Sequence, residues 1–397
     1  MGLNEVSSGE RVHIGFFGMR NAGKSSLVNA FTGQKLSVVS DVKGTTTDPV
    51  KKAMELLPLG PVVIIDTPGI DDEGSLGEMR VQKAKEILSK TDVAILVCDA
   101  VKGISEKDAG LLEIFNEKKI PYVIAFNKSD LLEKEKVNKD NTVYVSAVTG
   151  ENIDLLKNTV ASLYKVKGQE KHIVSDLISE GDIVVLVTPI DESAPKGRLI
   201  LPQQQTIRDI LDKGAIAVTT QVFSLEKTLQ SLKEKPRMVI TDSQAFGAVS
   251  KIVPEDIPMT SFSILFARYK GDLSAVVEGA DKLSLLKDGD RILISEGCTH
   301  HRQCKDIGTV KLPDWIRSFS GKALDFSFTS GGDFPEDLSE YALVVHCGGC
   351  TLNENEMKNR LERCCQQGVP ITNYGTAIAE MNGILRRSLQ VFENYEL

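Results

Sequence analysis

Gly18-Met19-Arg20-Asn21-Ala22-Gly23-Lys24-Ser25 follows the apolar run Val12–Phe17 and opens a helical pattern from Ser25 to Phe31. A strand, a glycine-bearing loop ending in Gly-Lys-Ser and a helix make the phosphate-loop pattern. Glycines let backbone N–H groups curl around phosphate oxygens, and the helix N-terminus adds its positive end. Lys24 suits the β- and γ-phosphates of a nucleoside triphosphate, and the Ser25 hydroxyl suits Mg²⁺.

Three further motifs follow, and two of them name the base. Asp66-Thr67-Pro68-Gly69 ends the apolar run Val62–Ile65. Asp66 suits a carboxylate that holds Mg²⁺ through water, and the Gly69 N–H suits a γ-phosphate sensor. Asn127-Lys128-Ser129-Asp130 ends Tyr122–Phe126. A carboxylate at 130 accepts from both N1–H and N2–H₂ of guanine, a donor pair adenine lacks. Ser146-Ala147 ends Thr142–Val145 and offers a backbone N–H to guanine O6. Open α/β sheets bind ligands at strand C-termini, where all these motifs fall. The candidate GTP contacts are Asn21, Ala22, Gly23, Lys24, Ser25, Ser26, Asp66, Gly69, Asn127, Lys128, Asp130, Ser146 and Ala147.

Around these loops the chain alternates strand-like and helix-like runs. Strands are expected at Val12–Phe17, Val62–Asp66, Val93–Cys98, Tyr122–Phe126 and Thr142–Val145, with helices at Gly77–Leu88, Lys107–Asn116 and Ile153–Tyr164. Continuous apolar strands separated by helices predict a parallel sheet covered on both faces. The polar stretch Lys165–His172 reads as a linker. A second β-α-β rhythm follows: Asp182–Thr188, Gln203–Lys213, Ala215–Val222, Leu225–Glu234 and Arg237–Thr241. A third segment carries strands at Arg291–Ser295, Asp325–Thr329, Leu343–His346 and Pro370–Asn373. Its helix, Glu354–Gln367, is capped by Asn353, with Glu356 completing a capping box. The expected architecture is α/β: a phosphate-loop GTPase domain with a parallel sheet over 1–168, then smaller α/β domains over 172–260 and 261–397.

The sequence has 397 residues and is 41% apolar, enough to bury several cores. A net charge of -8 argues against a nucleic-acid-coating surface, so no nucleic-acid partner is expected. No apolar stretch approaches the length of a membrane helix, roughly 20 residues. Residues 1–11 lack the pattern of a signal peptide. A cytoplasmic protein without a membrane partner is expected. Thiols stay reduced there, so seven cysteines point to metal ligation or core packing.

Cys98 closes an apolar strand, and Cys364 and Cys365 sit at helical spacing with Met357 and Leu361; these read as core. Cys298-Thr299-His300 follows one strand, and His346-Cys347-Gly348-Gly349-Cys350 ends another. If those strands are parallel neighbours, Cys298, Cys347 and Cys350 converge at one sheet edge. Three cysteines with a histidine satisfy tetrahedral Zn²⁺, and three cysteines also suit an iron–sulfur cluster with one iron held otherwise. His300, His301, His346 and Cys304 crowd the same loops, and the ligand types leave both metals open. A redox pair at Cys347 and Cys350 is a further reading.

The N-terminal motifs resemble the small GTPases of the tRNA-modification and Era-like branch. That resemblance implies a K⁺ ion on Asn21 and a first switch at Gly44–Asp48, with Thr46 as a Mg²⁺ ligand. Lys24, Thr46 and Gly69 then surround the γ-phosphate at hydrolysis. Ile70 stands where a water-orienting glutamine is found in other GTPases, which implies slow, K⁺-stimulated hydrolysis. Together the two motif sets are similar to the [FeFe]-hydrogenase maturation GTPase family, HydF. The resemblance implies a [4Fe–4S] cluster on Cys298, Cys347 and Cys350, with His300 or His346 as possible fourth ligand. It implies a homodimer through the middle segment and a scaffold that receives a di-iron precursor from radical-SAM maturases and delivers it to apo-[FeFe]-hydrogenase. The competing expectation is a GTPase with a structural zinc domain, acting in RNA modification or ribosome assembly.

Overall fold

The computed structural model describes residues 8–34, 50–57, 59–67, 86–133, 137–139, 141–167, 171–190, 199–297 and 307–392. The chain divides into two compact units, Met1–Glu170 and Lys171–Leu397.

The first unit is built on a six-stranded sheet: β1 (Val12–Phe17), β2 (Val50–Leu56), β3 (Gly60–Asp66), β4 (Val93–Asp99), β5 (Tyr122–Asn127) and β6 (Thr142–Tyr144). The spatial order is β2-β3-β1-β4-β5-β6, parallel except for the β2–β3 pair. Every residue of β1 and β4 is buried, as strands covered on both faces must be. Helices Lys24–Thr32, Glu106–Glu117 and Ile153–Lys167 follow β1, β4 and β6. The last of these runs into the stretch read as linker. Of the helix expected at Gly77–Leu88, only 86–88 lie among the described residues, and they are helical.

Strand β2 is a departure from the all-parallel expectation. It lies antiparallel at the sheet edge, with Lys51, Lys52, Ala53 and Glu55 exposed. An edge strand open to solvent needs no apolar alternation, and charges there discourage pairing with another chain.

The second unit holds two four-stranded parallel sheets. The first contains β7 (Ile183–Val187), β8 (Ile216–Thr220), β9 (Met238–Thr241) and β10 (Met259–Ser261), in the order β10-β9-β7-β8. The second contains β11 (Arg291–Glu296), β12 (Asp325–Ser330), β13 (Leu343–His346) and β14 (Ile371–Asn373), in the order β12-β11-β13-β14. Residues of both sheets belong to one hydrophobic cluster running from Ile173 to Phe392. β10, a short and fully buried strand, has no counterpart in the sequence expectations. Helices Phe262–Lys270 and Leu273–Asp281 link the two sheets. Ser261 and Asp272 cap them, accepting from the N–H groups of Ile264 and Ala275 at 3.2 and 3.1 Å.

In this second sheet β11 pairs with β12 on one side and β13 on the other. The chain thus reverses its direction of strand addition between β11 and β13. Such a switch point opens a crevice beyond the strand C-termini. Gly297 and Cys347, the residues that follow β11 and β13, meet there.

Candidate functional site

The nucleotide loops are joined by Asn127. Its Nδ2 donates to the carbonyls of Ala22 and Gly23 at 3.0 and 3.3 Å, and its Oδ1 accepts from the Ala147 N–H at 3.1 Å. One side chain, 2% exposed, therefore ties three motifs that lie far apart in sequence. Gly23 allows the approach: its φ is 82°, and a Cβ there would stand 2.3 Å from Asn127 Nδ2. Asn21, also at positive φ (64°), is exposed at the loop.

Lys24 begins the helix Lys24–Thr32, and its ammonium lies 3.3 Å from Asp66 Oδ1 at the end of β3. Ser25 Oγ donates to Asp66 Oδ2 at 3.0 Å. Lys24, Ser25 and Asp66, expected around the phosphates and Mg²⁺, are thus gathered in one place. Thr67 fixes the strand end by donating through Oγ1 to the Phe16 carbonyl at 2.7 Å. Ser26 follows in the same helix. Thr46 and Gly69 lie outside the described residues.

At the base end Asp130 is exposed, and Ser129 Oγ donates to Glu151 Oε2 at 2.9 Å, joining its loop to the one after Ser146. Ser146 is fully buried, and its Oγ accepts from the N–H groups of Val148 and Thr149. Lys128 Nζ donates to the Asn21 carbonyl at 2.8 Å and to Asp99 Oδ2 at 2.7 Å. Burial raises the Asp99 carboxyl, but the Lys128 bond and charge and the Val101 N–H hold it below its ordinary value. Sequence reasoning missed Asp99; its place at the C-terminus of β4, among the other loop-bearing strand ends, was the available signal.

The metal candidates are divided by the described boundary. Cys298 and His300 lie outside it; Cys347, Cys350 and His346 lie inside. Among the described residues, no group of three or more His, Cys, Asp or Glu side chains is placed to hold a metal ion. Cys347 Sγ accepts the Gly297 N–H at 3.0 Å and the Gly349 N–H at 3.4 Å. Donors converging on a sulfur favour its thiolate form, the form that binds metal. Thr351 Oγ1 donates to the Gly297 carbonyl at 2.9 Å, so both sides of the residue leading into Cys298 are fastened to the Cys347–Cys350 turn. Gly349 has a φ of 61°, and a Cβ there would stand 2.6 Å from Met357 Sδ. Only glycine fits the turn without displacing that neighbour.

The other described cysteines differ. Cys98 and Cys364 are buried, and burial pushes both thiols up to about 12. They remain protonated core residues; Cys365, read as core with them, is exposed.

His346 is 1% exposed with both ring nitrogens engaged. Nδ1 lies 2.7 Å from the Cys347 carbonyl. A carbonyl only accepts, so Nδ1 carries the proton. Nε2 lies 2.9 Å from Arg360 Nη1. A guanidinium only donates, so the Nε2 lone pair is taken. Burial first, then the Arg360 charge, lower the imidazole to about 3, against the bond to the Cys347 carbonyl. Arg360, itself 3% exposed, also donates to the Gly331 carbonyl at 2.6 Å and to Glu356 Oε1 at 2.8 Å. Asn353 caps the helix Glu354–Gln366 as expected, accepting from the Glu356 N–H at 3.1 Å.

Residues 13–128 match the family described as 50S ribosome-binding GTPase, and the first unit is a GTPase domain. Among curated relatives, the tRNA modification GTPase MnmE of Nitrosomonas europaea is 30% identical over 172 residues, 42% of this chain and 37% of its own length. GTPase Der of Clostridium kluyveri is 31% identical over 209 residues, 47% of each chain. The chain thus spans less than half the length of these relatives. A solved structure of Era in complex with MgGDPNP and a 16S ribosomal RNA fragment is 20% identical, covering 53% of this chain and 93% of that one with a TM-score of 0.36. No helix among the described residues is long and apolar enough to cross a membrane. Residues 173–271 match the hydrogen maturase F dimerization domain. Residues 274–391 match the hydrogen maturase F tetramerization domain, an assembly role beyond the expected dimer. With a GTPase domain followed by both of its characteristic domains, the chain belongs to the hydrogen maturase F family.

Proposed function

We propose that this chain is a GTP-hydrolysing scaffold for the di-iron subcluster of [FeFe]-hydrogenase, carrying a [4Fe–4S] cluster on Cys298, Cys347 and Cys350. The observation that carries the reading is the 3.0 Å bond from the Gly297 N–H to Cys347 Sγ. Gly297 is joined by one peptide bond to Cys298, so the register of β11 on β13 supports the meeting of the two halves of the motif. Two backbone donors on one sulfur, a glycine-only turn and partly exposed thiols fit an anionic cluster bound by thiolates. Such a cluster, when bound, supplies an iron with an exchangeable position for a bridging ligand of the cargo. The cargo arrives from radical-SAM maturases and leaves to apo-hydrogenase, and the scaffold works as a cytoplasmic homodimer or higher assembly.

At the nucleotide end, Lys24 and Ser25 exchange their contacts with Asp66 for the β- and γ-phosphates and Mg²⁺. Ser25 and Thr46 would hold Mg²⁺, with Asp66 beside it, and the ion would spread the charge of the phosphates that the backbone of residues 21–26 orients. Water attacks the γ-phosphorus, the bond to the β–γ bridging oxygen breaks, and GDP and phosphate leave. Thr46 and Gly69 would sense the γ-phosphate, and Asn21 would hold a K⁺ ion that offsets developing charge. Two segments outside the described residues, Lys35–Asp48 around the Gly44–Asp48 motif and Ile70–Arg80 after Gly69, act in this reading as switches; hydrolysis releases them and so controls docking or release of the partner maturases.

Anaerobic reconstitution with iron and sulfide tests the cluster. A [4Fe–4S] EPR signal that disappears in Cys298→Ala and Cys347→Ala is expected. A colourless protein holding stoichiometric zinc overturns the reading in favour of a structural zinc domain.

A further inference from the structure

The helix Phe262–Lys270 ends on a lysine that is only 4% exposed. Lys270 Nζ donates to the carbonyls of Cys350 at 3.1 Å and Leu352 at 3.0 Å, and lies 3.5 Å from that of Gly349. It also stands 5.9 Å from the centre of the Phe266 ring. Burying an ammonium is costly unless its N–H groups find acceptors. Here the acceptors are backbone carbonyls of the turn that carries Cys347 and Cys350.

We propose that Lys270 is the positioning residue of this turn: it draws the carbonyls of Gly349, Cys350 and Leu352 to one side and sets a positive charge against the turn that carries the two thiols. The inference rests on the reading that the turn holds a [4Fe–4S] cluster. Each peptide unit is planar and trans, so a carbonyl turned to the ammonium sends the next N–H the opposite way. With the Gly349 and Cys350 carbonyls on Lys270, the Cys350 and Thr351 N–H groups face away from it. The turn is therefore organised before metal arrives. A nearby cation also favours the more negative, reduced state of a thiolate-bound cluster.

No motif pointed to this lysine. It lies 80 residues before Cys350 and closes an apolar run, where it reads as an ordinary helix C-terminal cation. The contact also gives the residue range 173–271, matched by the dimerization domain, a direct hold on the turn within 274–391.

The test compares wild type with Lys270→Arg, Lys270→Gln and Lys270→Met, each with all domains present. Glutamine keeps N–H donors without charge, and methionine removes both. Three quantities are read: alkylation rates of Cys347 and Cys350 in iron-free protein, iron loss to a chelator after reconstitution, and the midpoint potential of the EPR signal. Lys270→Met is expected to lose iron about 10- to 100-fold faster, the usual scale for removing an outer partner of a metal ligand. Lys270→Gln is expected to keep its cluster at a more negative potential, and Lys270→Arg to behave like wild type. A lysine that only supports the fold lowers the melting temperature but leaves the potential of every folded variant unchanged; that result overturns the proposal. If Lys270→Met does not fold, the Gln and Arg variants decide. If wild type binds no iron, the cluster reading has failed, and the alkylation rates still decide whether Lys270 sets the turn. Equal rates in wild type and folded Lys270→Met would then reject it.

Discussion

Arg360 donates through Nη1 to His346 Nε2 at 2.9 Å, and that bond takes the one ring lone pair the Cys347 carbonyl leaves available. A metal ligand needs a free nitrogen lone pair, and in this arrangement His346 has none. His346→Ala is expected to keep its iron and its EPR signature while losing about 1–3 kcal/mol of stability, because it leaves a buried guanidinium donor unpaired. Iron analysis and a thermal melt check this. Loss of iron from a folded His346→Ala protein would make the histidine a ligand after all.

The Asn127 staple and the Asp130 carboxylate predict two different losses. Asn127→Ala breaks bonds to Ala22, Gly23 and Ala147 and is expected to weaken GTP and GDP alike. At about 1 kcal/mol per bond the combined effect is on the order of 100-fold. Asp130→Asn instead turns one acceptor into a donor. It is expected to weaken guanine nucleotides while improving binding of xanthosine triphosphate, which carries a carbonyl where guanine has its amino group. Titration of the nucleotides against both variants separates the roles, and a base switch in Asn127→Ala would refute the assignment.

The pairing of Asp99 with Lys128 carries a pH signature. Lys128 also holds the Asn21 carbonyl, so Asp99→Asn is expected to loosen the phosphate loop and lower GTP affinity several-fold. The Asp99 carboxyl is held below its ordinary value in the folded protein. Its contribution is therefore complete above that ordinary value and is lost only as pH falls through the lower folded one. Affinity measured across the neutral range should show no inflection from Asp99, whereas an Asp99 titration near neutrality would contradict the geometry.

What the sequence made legible follows from how local each piece of chemistry is. The nucleotide loops were readable because consecutive residues meet one ligand, and every residue of β1 is buried as its apolar run implies. That Cys347 and Cys350 share one turn was readable because only two glycines separate them. The supporting residues were not. Lys270 lies 82 residues before the Leu352 carbonyl it holds, and Arg360 comes from a helix 14 residues beyond His346. Such partners are chosen by the packing of one sheet's crevice. Strand β2 escaped for another reason: Lys51, Lys52, Ala53 and Glu55 all face solvent, so no period-two pattern marks it. Glu356, read from the sequence only as part of a capping box, also gives its Oε1 to Arg360, a buried partner that no cap pattern announces.

Asn21 allows the cation dependence to be isolated. Its backbone φ is 64°. Glycine tolerates that angle and alanine is strained by it, so Asn21→Gly removes the side-chain oxygen without bending the loop. Ile70 follows the Asp66–Gly69 motif in place of a water-orienting glutamine, so on the proposed mechanism a monovalent cation would take on more of the charge stabilisation. Wild-type hydrolysis is expected to be faster in K⁺ than in Na⁺ by roughly 100-fold, the scale of one lost electrostatic donor at the reacting phosphate. In Asn21→Gly the K⁺-to-Na⁺ ratio should fall towards one, because both ions lose the same ligand. Phosphate release measured in the two salts at equal ionic strength decides it. Equal wild-type rates would remove K⁺ from the mechanism, and an unchanged ratio in the variant would move the cation away from Asn21.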